Sequence, residues 1–318
     1  MWRAALLFAF CFPSFTQASF GCPGADSIPG LQMTDSAISF LVMGDWGRNG
    51  SPTQKRVAAS MGMAAEQLHA SFIIATGDNF YENGVSGIHD SQWISSYENV
   101  YTAPSLHVPW FPVLGNHDYH ADPDAQVAYS SVSDRWKMRG RYYDTSFAIG
   151  PDSLLLVFID TDPIEKEFLG RPYDSIRFRQ GDVATQLSWL ENVLATSHAK
   201  WKIVTGHNPL HTGGSRRHSS RTRKMRAILQ PYFYKHGVNI YFSGHEHHLE
   251  YLKPPAGPTH YIISGAGSEA RHVGKLKRFR RFAARKKGFV TMSAARDFVL
   301  VQFVSEHGTI LYSHIIRP

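Results

Sequence analysis

Five short segments hold the residues that could do chemistry: Gly44-Asp45-Trp46-Gly47, Gly77 to Tyr81 (GDNFY), Gly115 to Tyr119 (GNHDY), Gly206 to Pro209 (GHNP) and Gly244 to His248 (GHEHH). Each opens on glycine and then presents an Asp, Asn or His. One Gly-Asp step is an ordinary turn, and one His at a strand end is usually satisfied by a local partner. Five in succession are not explained that way. Carboxylates, an amide oxygen, imidazoles and a phenol together suit hard or borderline cations such as ferric iron, zinc or manganese. The donors are too many for one ion, so two ions are implied. His245 and His247 are two apart, so on an extended chain both point to one side and can each approach one metal of a close pair, while His248 faces the other way.

The elements that must position these segments are legible beside them. Apolar runs at 38–43, 72–75, 111–114, 154–159, 201–204 and 238–242 read as strands, most ending in polar, glycine-containing turns. Amphipathic stretches near 53–69, 182–196 and 221–236 read as helices between them. This alternation is that of an α/β domain, whose ligand-binding loops lie at the carboxyl ends of its strands. Further strands at 261–264, 289–293, 298–304 and 310–315 imply a second sheet packed on the first. No internal repeat or long linker divides 37–318, so one two-sheet domain is expected.

With 318 residues, 43% hydrophobic, 13% aromatic and 19% charged, the chain is neither a disordered tail protein nor a coiled coil. The net charge of +7 is local: residues 275–287 (KLKRFRRFAARKK) hold eight basic side chains and no acid, leaving 25 basic against 26 acidic residues elsewhere. Two cysteines, Cys11 and Cys22, make no disulfide framework. Residues 1–18 read as a cleaved signal peptide, with Arg3 ahead of an apolar run over 4–12 and small residues Thr16 and Ala18 near the cleavage site. That run is shorter than the roughly 20 residues that span a bilayer, so export rather than anchoring is expected. Ser19-Phe20-Gly21 lacks the aliphatic residue expected ahead of a lipoprotein cysteine at Cys22. Residues 19–36 form a Gly/Pro/Ser-rich lead.

The order GDxG, GDxxY, GNH[DE], GHxP and GHxH resembles the purple acid phosphatases, a branch of the binuclear metallophosphoesterases. The wider superfamily has a His two residues after its first Asp. Here that position is Gly47 and the chain offers Tyr81, the mark of the purple branch. YTAPSLHVPWFPVLGNHDY at 101–119, FIDTDP at 158–163, QLSWL at 186–190 and SGAGS at 264–268 extend the similarity to the small, single-domain members over nearly all of 37–318. The resemblance implies a four-layer αββα sandwich of two mixed β-sheets flanked by helices. It assigns Asp45, Tyr81 and His247 to a ferric ion, Asp78 to a bridge, and Asn116, His207 and His245 to a second ion, Fe(II), Zn(II) or Mn(II). On such a centre water would ionise far below its bulk pKa and would attack phosphorus in line, the phosphate oxygens spanning ions about 3.5–4 Å apart. His117 would bind phosphate and assist the leaving group. A further outer-sphere His follows GHxP in the family at a spacing this chain does not keep; His218 and His211 both qualify, and His218 is favoured. Asp118 and Asp160 are expected to orient ligand histidines, or to act as caps or turns.

The resemblance implies an exported, monomeric phosphomonoesterase working at mildly acidic pH, in a periplasm, vacuole, lysosome or the medium. One rival is a phosphodiesterase or neutral phosphatase with two divalent ions. Another is a polyanion- or membrane-binding protein using 275–287, expected to be an amphipathic surface helix. Nothing in that segment reads nucleic-acid bases. A second basic cluster, Arg216 to Arg226, would steer phosphoesters or be a solvated helix face. The segment 164–182 falls where animal relatives carry a regulatory loop, but its residues differ.

Overall fold

The computed structural model describes residues 27–167, 182–275 and 278–318. The expected signal peptide, both cysteines and 168–181 lie outside the described residues.

The chain runs in order through β1 (Ile38–Met43), α1 (Pro52–Leu68), β2 (Phe72–Ala75), β3 (Trp110–Pro112), α2 (Pro123–Ala128), β4 (Tyr143–Ile149) and β5 (Asp152–Phe158). It continues through α3 (Thr161–Glu167), α4 (Asp182–Thr196), β6 (Trp201–Thr205), α5 (Ser220–Lys235), β7 (Ile240–Ser243), β8 (Leu249–Leu252) and β9 (His260–Ser264), ending in β10 (Arg280–Ala284), β11 (Gly288–Ala294), β12 (Val299–Ser305) and β13 (Ile310–Ile316). One sheet has the order β13-β12-β11-β1-β2-β3 and the other β10-β8-β9-β7-β6-β5-β4. In the first, β1, β2 and β3 are mutually parallel; in the second, β5, β6, β7 and β9 are. Antiparallel strands complete both, so each sheet is mixed.

Period-two side-chain alternation explains the layering. Along β5, Leu154, Leu156 and Phe158 join the core shared with the first sheet, while Leu155 and Val157 join a second core with Leu190 and Leu194 of α4 and Leu229 and Phe233 of α5. Along β7, Ile240 and Phe242 face the first sheet and Tyr241 the helices. On the far side Val57, Ala58 and Met61 of α1 pack beneath the first sheet. These are the four layers of the expected sandwich. Ser51 caps α1, its side chain accepting from Gln54 N, and Pro52 fills the first turn, where no N–H is needed.

β4, β8 and β10 are additional to the expected strands. The helix expected within 275–287 is corrected, because β10 occupies its centre as the edge strand of the larger sheet, paired with β8 through a register shift between Arg280 and Phe282. Phe282 stacks on Tyr312 and packs at a tilt on Phe303, and Arg280 turns inward to Glu250. Among the described residues no helix is long and apolar enough to cross a membrane.

Candidate metal centre

The carboxyl ends of β1, β2 and β3 in one sheet and of β6 and β7 in the other deliver the five glycine-led segments to one rim of the sandwich. Close backbone approach explains the glycines there. A Cβ on Gly115 would meet Asp78 N at 2.3 Å, and one on Gly244 would meet Asp45 Oδ2 at 2.4 Å. Asp45, Asp78 and His245 themselves hold left-handed φ values of 58°, 48° and 67°, uncommon for side chains with a Cβ and typical of functional sites.

Two donor groups result. Asp78, His207 and His245 form one, and Asp45, Asp78 and His247 the other, the donor atoms of each lying within 4.8 Å of one another. Asp78 belongs to both. Tyr81 OH lies 3.0 Å from Asp45 Oδ1, 3.0 Å from Asp78 Oδ2 and 3.1 Å from His247 Nε2, which places it in the second group. His207 Nε2 lies 3.3 Å from Asp78 Oδ2 and 3.0 Å from His245 Nδ1, while its Nδ1 faces Thr76 O at 2.9 Å. Asn116 Oδ1 is buried without a hydrogen-bond partner. A buried unpaired amide oxygen is costly unless a cation or water takes it up. With these carboxylates, imidazoles and phenol, that orphan makes the residues fit a pair of metal ions.

The buried groups of the site shift one another strongly. Burial pushes the Tyr81 phenol well above its ordinary value, and the Asp45 and Asp78 carboxylates push it further. Burial alone would lower His207, but Asp78 outweighs it and raises the imidazole to about 10. Burial raises Asp78, yet His207, with His117 and His245 beside it, holds that carboxyl well below the usual range. Burial, then the His207 charge, drives His245 far below an ordinary histidine.

His117 stands beside the pair: its backbone N–H donates to Asp78 Oδ1 at 2.8 Å, its ring Nδ1 lies 2.5 Å from Glu82 O, and its ring centroid is 4.5 Å from that of Tyr81. The structure does not bring His211 to the cluster. Its ring packs on Tyr261 and Phe279 and its nitrogens face Gln230 and Arg226, and burial, then Arg226, lowers it to about 3. His218 is exposed, its Nε2 accepting from Arg217 Nε at 3.0 Å. Asp118 and Asp160 do not touch the ligand histidines. Asp118 accepts from Asn79 N, Phe80 N and Gly115 N, tying two ligand loops together, and Asp160 accepts from Tyr119 OH. The histidine orienters are instead the Thr76 carbonyl, on His207, and Glu269, whose Oε2 lies 3.2 Å from His247 Nδ1. His245 and His247 are not on an extended strand as expected: the left-handed φ at His245 bends the chain and sends each to a different donor group. His248 faces away as expected, 3.0 Å from Glu250.

Two mixed sheets whose parallel strand ends converge on two donor groups sharing one carboxylate define a binuclear metallophosphoesterase, and residues 38–249 match the calcineurin-like phosphoesterase family. Within that superfamily the chain belongs to the purple acid phosphatases. It is 38% identical to purple acid phosphatase 17 of Arabidopsis thaliana over 245 residues, 74% of this chain and 70% of that one. It is 33% identical to human tartrate-resistant acid phosphatase type 5 over 298 residues, 87% of each chain. Among solved structures it is similar to GAP50, the anchor in the inner membrane complex of Plasmodium, at TM-score 0.77 and 26% identity over 88% of this chain and 89% of that one. The protein is accordingly an acid phosphatase that hydrolyses phosphomonoesters at a binuclear metal centre.

Proposed function

We propose that Asp45, Tyr81 and His247 hold a ferric ion, that Asp78 bridges it to a divalent ion, and that Asn116, His207 and His245 complete the divalent site with Fe(II), Zn(II) or Mn(II). The observation that carries this reading is the shared Asp78 between two unequal donor groups. The Tyr81 side brings two carboxylates and a phenol, three negative charges once the phenol ionises, which match a hard trivalent cation. The other side brings two imidazoles, an amide oxygen and the shared carboxylate, suited to a divalent one. When bound, such ions supply Lewis acidity toward the phosphoryl oxygens and toward water. Because the fold also serves an anchor protein, fold alone does not carry the reading; the donor set does.

His117 would donate a proton to the departing alkoxide, a role supported by its ring lying 4.5 Å from that of Tyr81 beside the cluster. Neither His211 nor His218 is given a role: one is buried in the second core and the other is paired to Arg217. We read 37–318 as one catalytic domain, exported through cleavage of 1–18 and monomeric. The exposed large apolar side chains among the described residues are Met33, Ile94, Val132 and Ile315.

Metal content and the visible spectrum of the purified protein, with Tyr81→Phe as control, test the assignment. A phenolate-to-iron band, lost in the variant, with two metals per chain, is the expected result. A colourless protein holding two divalent ions would remove the ferric assignment while leaving the hydrolase. A protein that takes up no metal would overturn the reading altogether and favour a binding scaffold.

A further inference from the structure

Arg48 directly follows the GDWG segment, and nothing in the chemistry above uses it. Its guanidinium carbon lies 3.9 Å from the centroid of the Tyr81 ring. Its three nitrogens are spent on fixed partners: Nη1 donates to Glu82 Oε1 at 2.6 Å, Nη2 to Glu269 Oε2 at 3.1 Å, and Nε to Ser268 Oγ at 3.3 Å. Ser268 Oγ in turn donates to the backbone oxygen of Asp45 at 2.7 Å. Glu269 Oε2 is the same oxygen that faces His247 Nδ1 at 3.2 Å, and Arg271 donates to both Glu269 oxygens at 3.0 and 3.1 Å. One guanidinium therefore lies on Tyr81 directly and reaches His247 through one carboxylate. Among the described residues, the guanidinium that reaches the other donor group is that of Arg216, on the His245 backbone oxygen at 3.5 Å and not on its imidazole.

Each half of this arrangement has a known physical effect. A planar cation over an aromatic face stabilises electron density in that ring, and more so a phenolate than a phenol. A carboxylate on the outer nitrogen of a ligand imidazole fixes its tautomer, leaves Nε2 free to bind a cation and makes that nitrogen a stronger donor. Arg48 comes from the loop after β1 in one sheet and Glu269 from the segment after β9 in the other, so their 3.1 Å pair also spans the two walls of the site.

We propose that Arg48 and Glu269 are positioning residues forming an outer clamp on Tyr81 and His247, holding and electronically tuning the one metal ion these two ligands share. The proposal rests on Tyr81 and His247 serving the same ion.

The test uses the full mature enzyme with Arg48→Met, Arg48→Lys and Glu269→Gln, and reads metal release to a chelator together with the visible band. Glu269→Gln is expected to speed release of one ion by about 10- to 100-fold, the usual cost of losing an outer partner of a metal-bound His, while the other ion changes less than about twofold. The faster step must be the one that Tyr81→Phe also accelerates. In Arg48→Met the band moves to lower energy, because removing the cation raises the phenolate donor orbital more than it affects the metal. Arg48→Lys recovers the charge without the planar stacking and restores the position only in part. Variants that lose both ions alike, or that match the wild-type band and release, would show Arg48 and Glu269 to be a structural tie and overturn the proposal. Should the wild type carry no visible band, the ferric assignment falls, and the clamp is judged on zinc-loaded protein by whether one release step of two is selectively faster.

Discussion

Replacing Asp160 by Asn should change how stability depends on pH, in a direction the structure fixes. Asp160 follows β5 with 1% exposure, accepts from Tyr119 OH, and has its backbone N–H held by Gln186 Oε1 at 2.7 Å. Burial raises its carboxyl from 3.8 to about 7; Asp162 adds to the rise, while Tyr119 and Arg141 oppose it. The folded protein thus holds this proton more tightly than the unfolded chain does. The stability it contributes is complete below about pH 4 and is lost as pH rises to about 7. At about 1.4 kcal/mol per unit, roughly 4 kcal/mol separates those limits, with about half already lost near pH 5.5. Asparagine keeps the shape and an acceptor for Tyr119 but does not titrate. Denaturant unfolding of both proteins at pH 4, 5.5 and 8 should show the variant gaining on the wild type by about 2 kcal/mol at the first step and about 4 kcal/mol in all. Asp118, raised to about 7 by burial and by Asp78, is common to both proteins and cancels in the difference. A difference that stays constant across the three pH values to within about 0.5 kcal/mol would refute the reasoning.

Gly47→Ala should cost more than an ordinary glycine substitution, because its Cβ would lie 2.0 Å from Asn79 O and 3.1 Å from Phe80 Cα, both backbone atoms of the loop carrying Asp78 and Tyr81. A loss of about 1–3 kcal/mol in unfolding free energy and fewer than two metals per chain are expected; full metal content at wild-type stability would show that the loop yields. Lys253, Arg278 and Arg281 line a cavity of about 560 Å³ beside β10, and among the described residues Arg278 and Arg281 have no ion-pair partner. If this edge meets anions, Lys253→Glu with Arg281→Glu should elute from an immobilised polyphosphate column at lower salt while hydrolysis of a small monoester is unchanged; equal elution of the two proteins would assign the charges to edge protection alone.

The sandwich was readable because its parallel strands are buried on both faces and so appear as unbroken apolar runs closed by glycine. Leu154 to Phe158 show this in the structure, alternate residues serving two cores. β10 was not readable for the opposite reason. As an edge strand it has partners on one side only, so RRFAA carries charge where a central strand would carry Val or Ile, and its basic run imitates a solvated helix. β8 escaped because LEYL includes Glu250, a carboxylate buried against Arg280, His248 and the N–H of Gly213, partners separated from it by up to 37 positions.

The donor set divides along the same line. Asp45, Asp78, Asn116, His207, His245 and His247 each sit at a fixed step from a glycine that ends a strand, so sequence spacing and spatial convergence carry the same information. What supports them does not follow any spacing. Glu269 reaches His247 from 22 positions away, Asp118 gathers N–H groups from two loops, and Arg48 covers Tyr81 across 33 positions. Each of those contacts joins loops that follow neighbouring strands of one sheet, β9 and β7, β3 and β2, or β1 and β2, a property of strand order rather than of any local pattern. His211 shows the converse. It has the right type near the right motif, but Leu210 ahead of it belongs to the second core, and the turn carries the imidazole onto Tyr261 instead of toward the metals. A ligand at a strand end can be read from its own segment; a residue acting through that ligand can be read only once the order of the neighbouring strands is known.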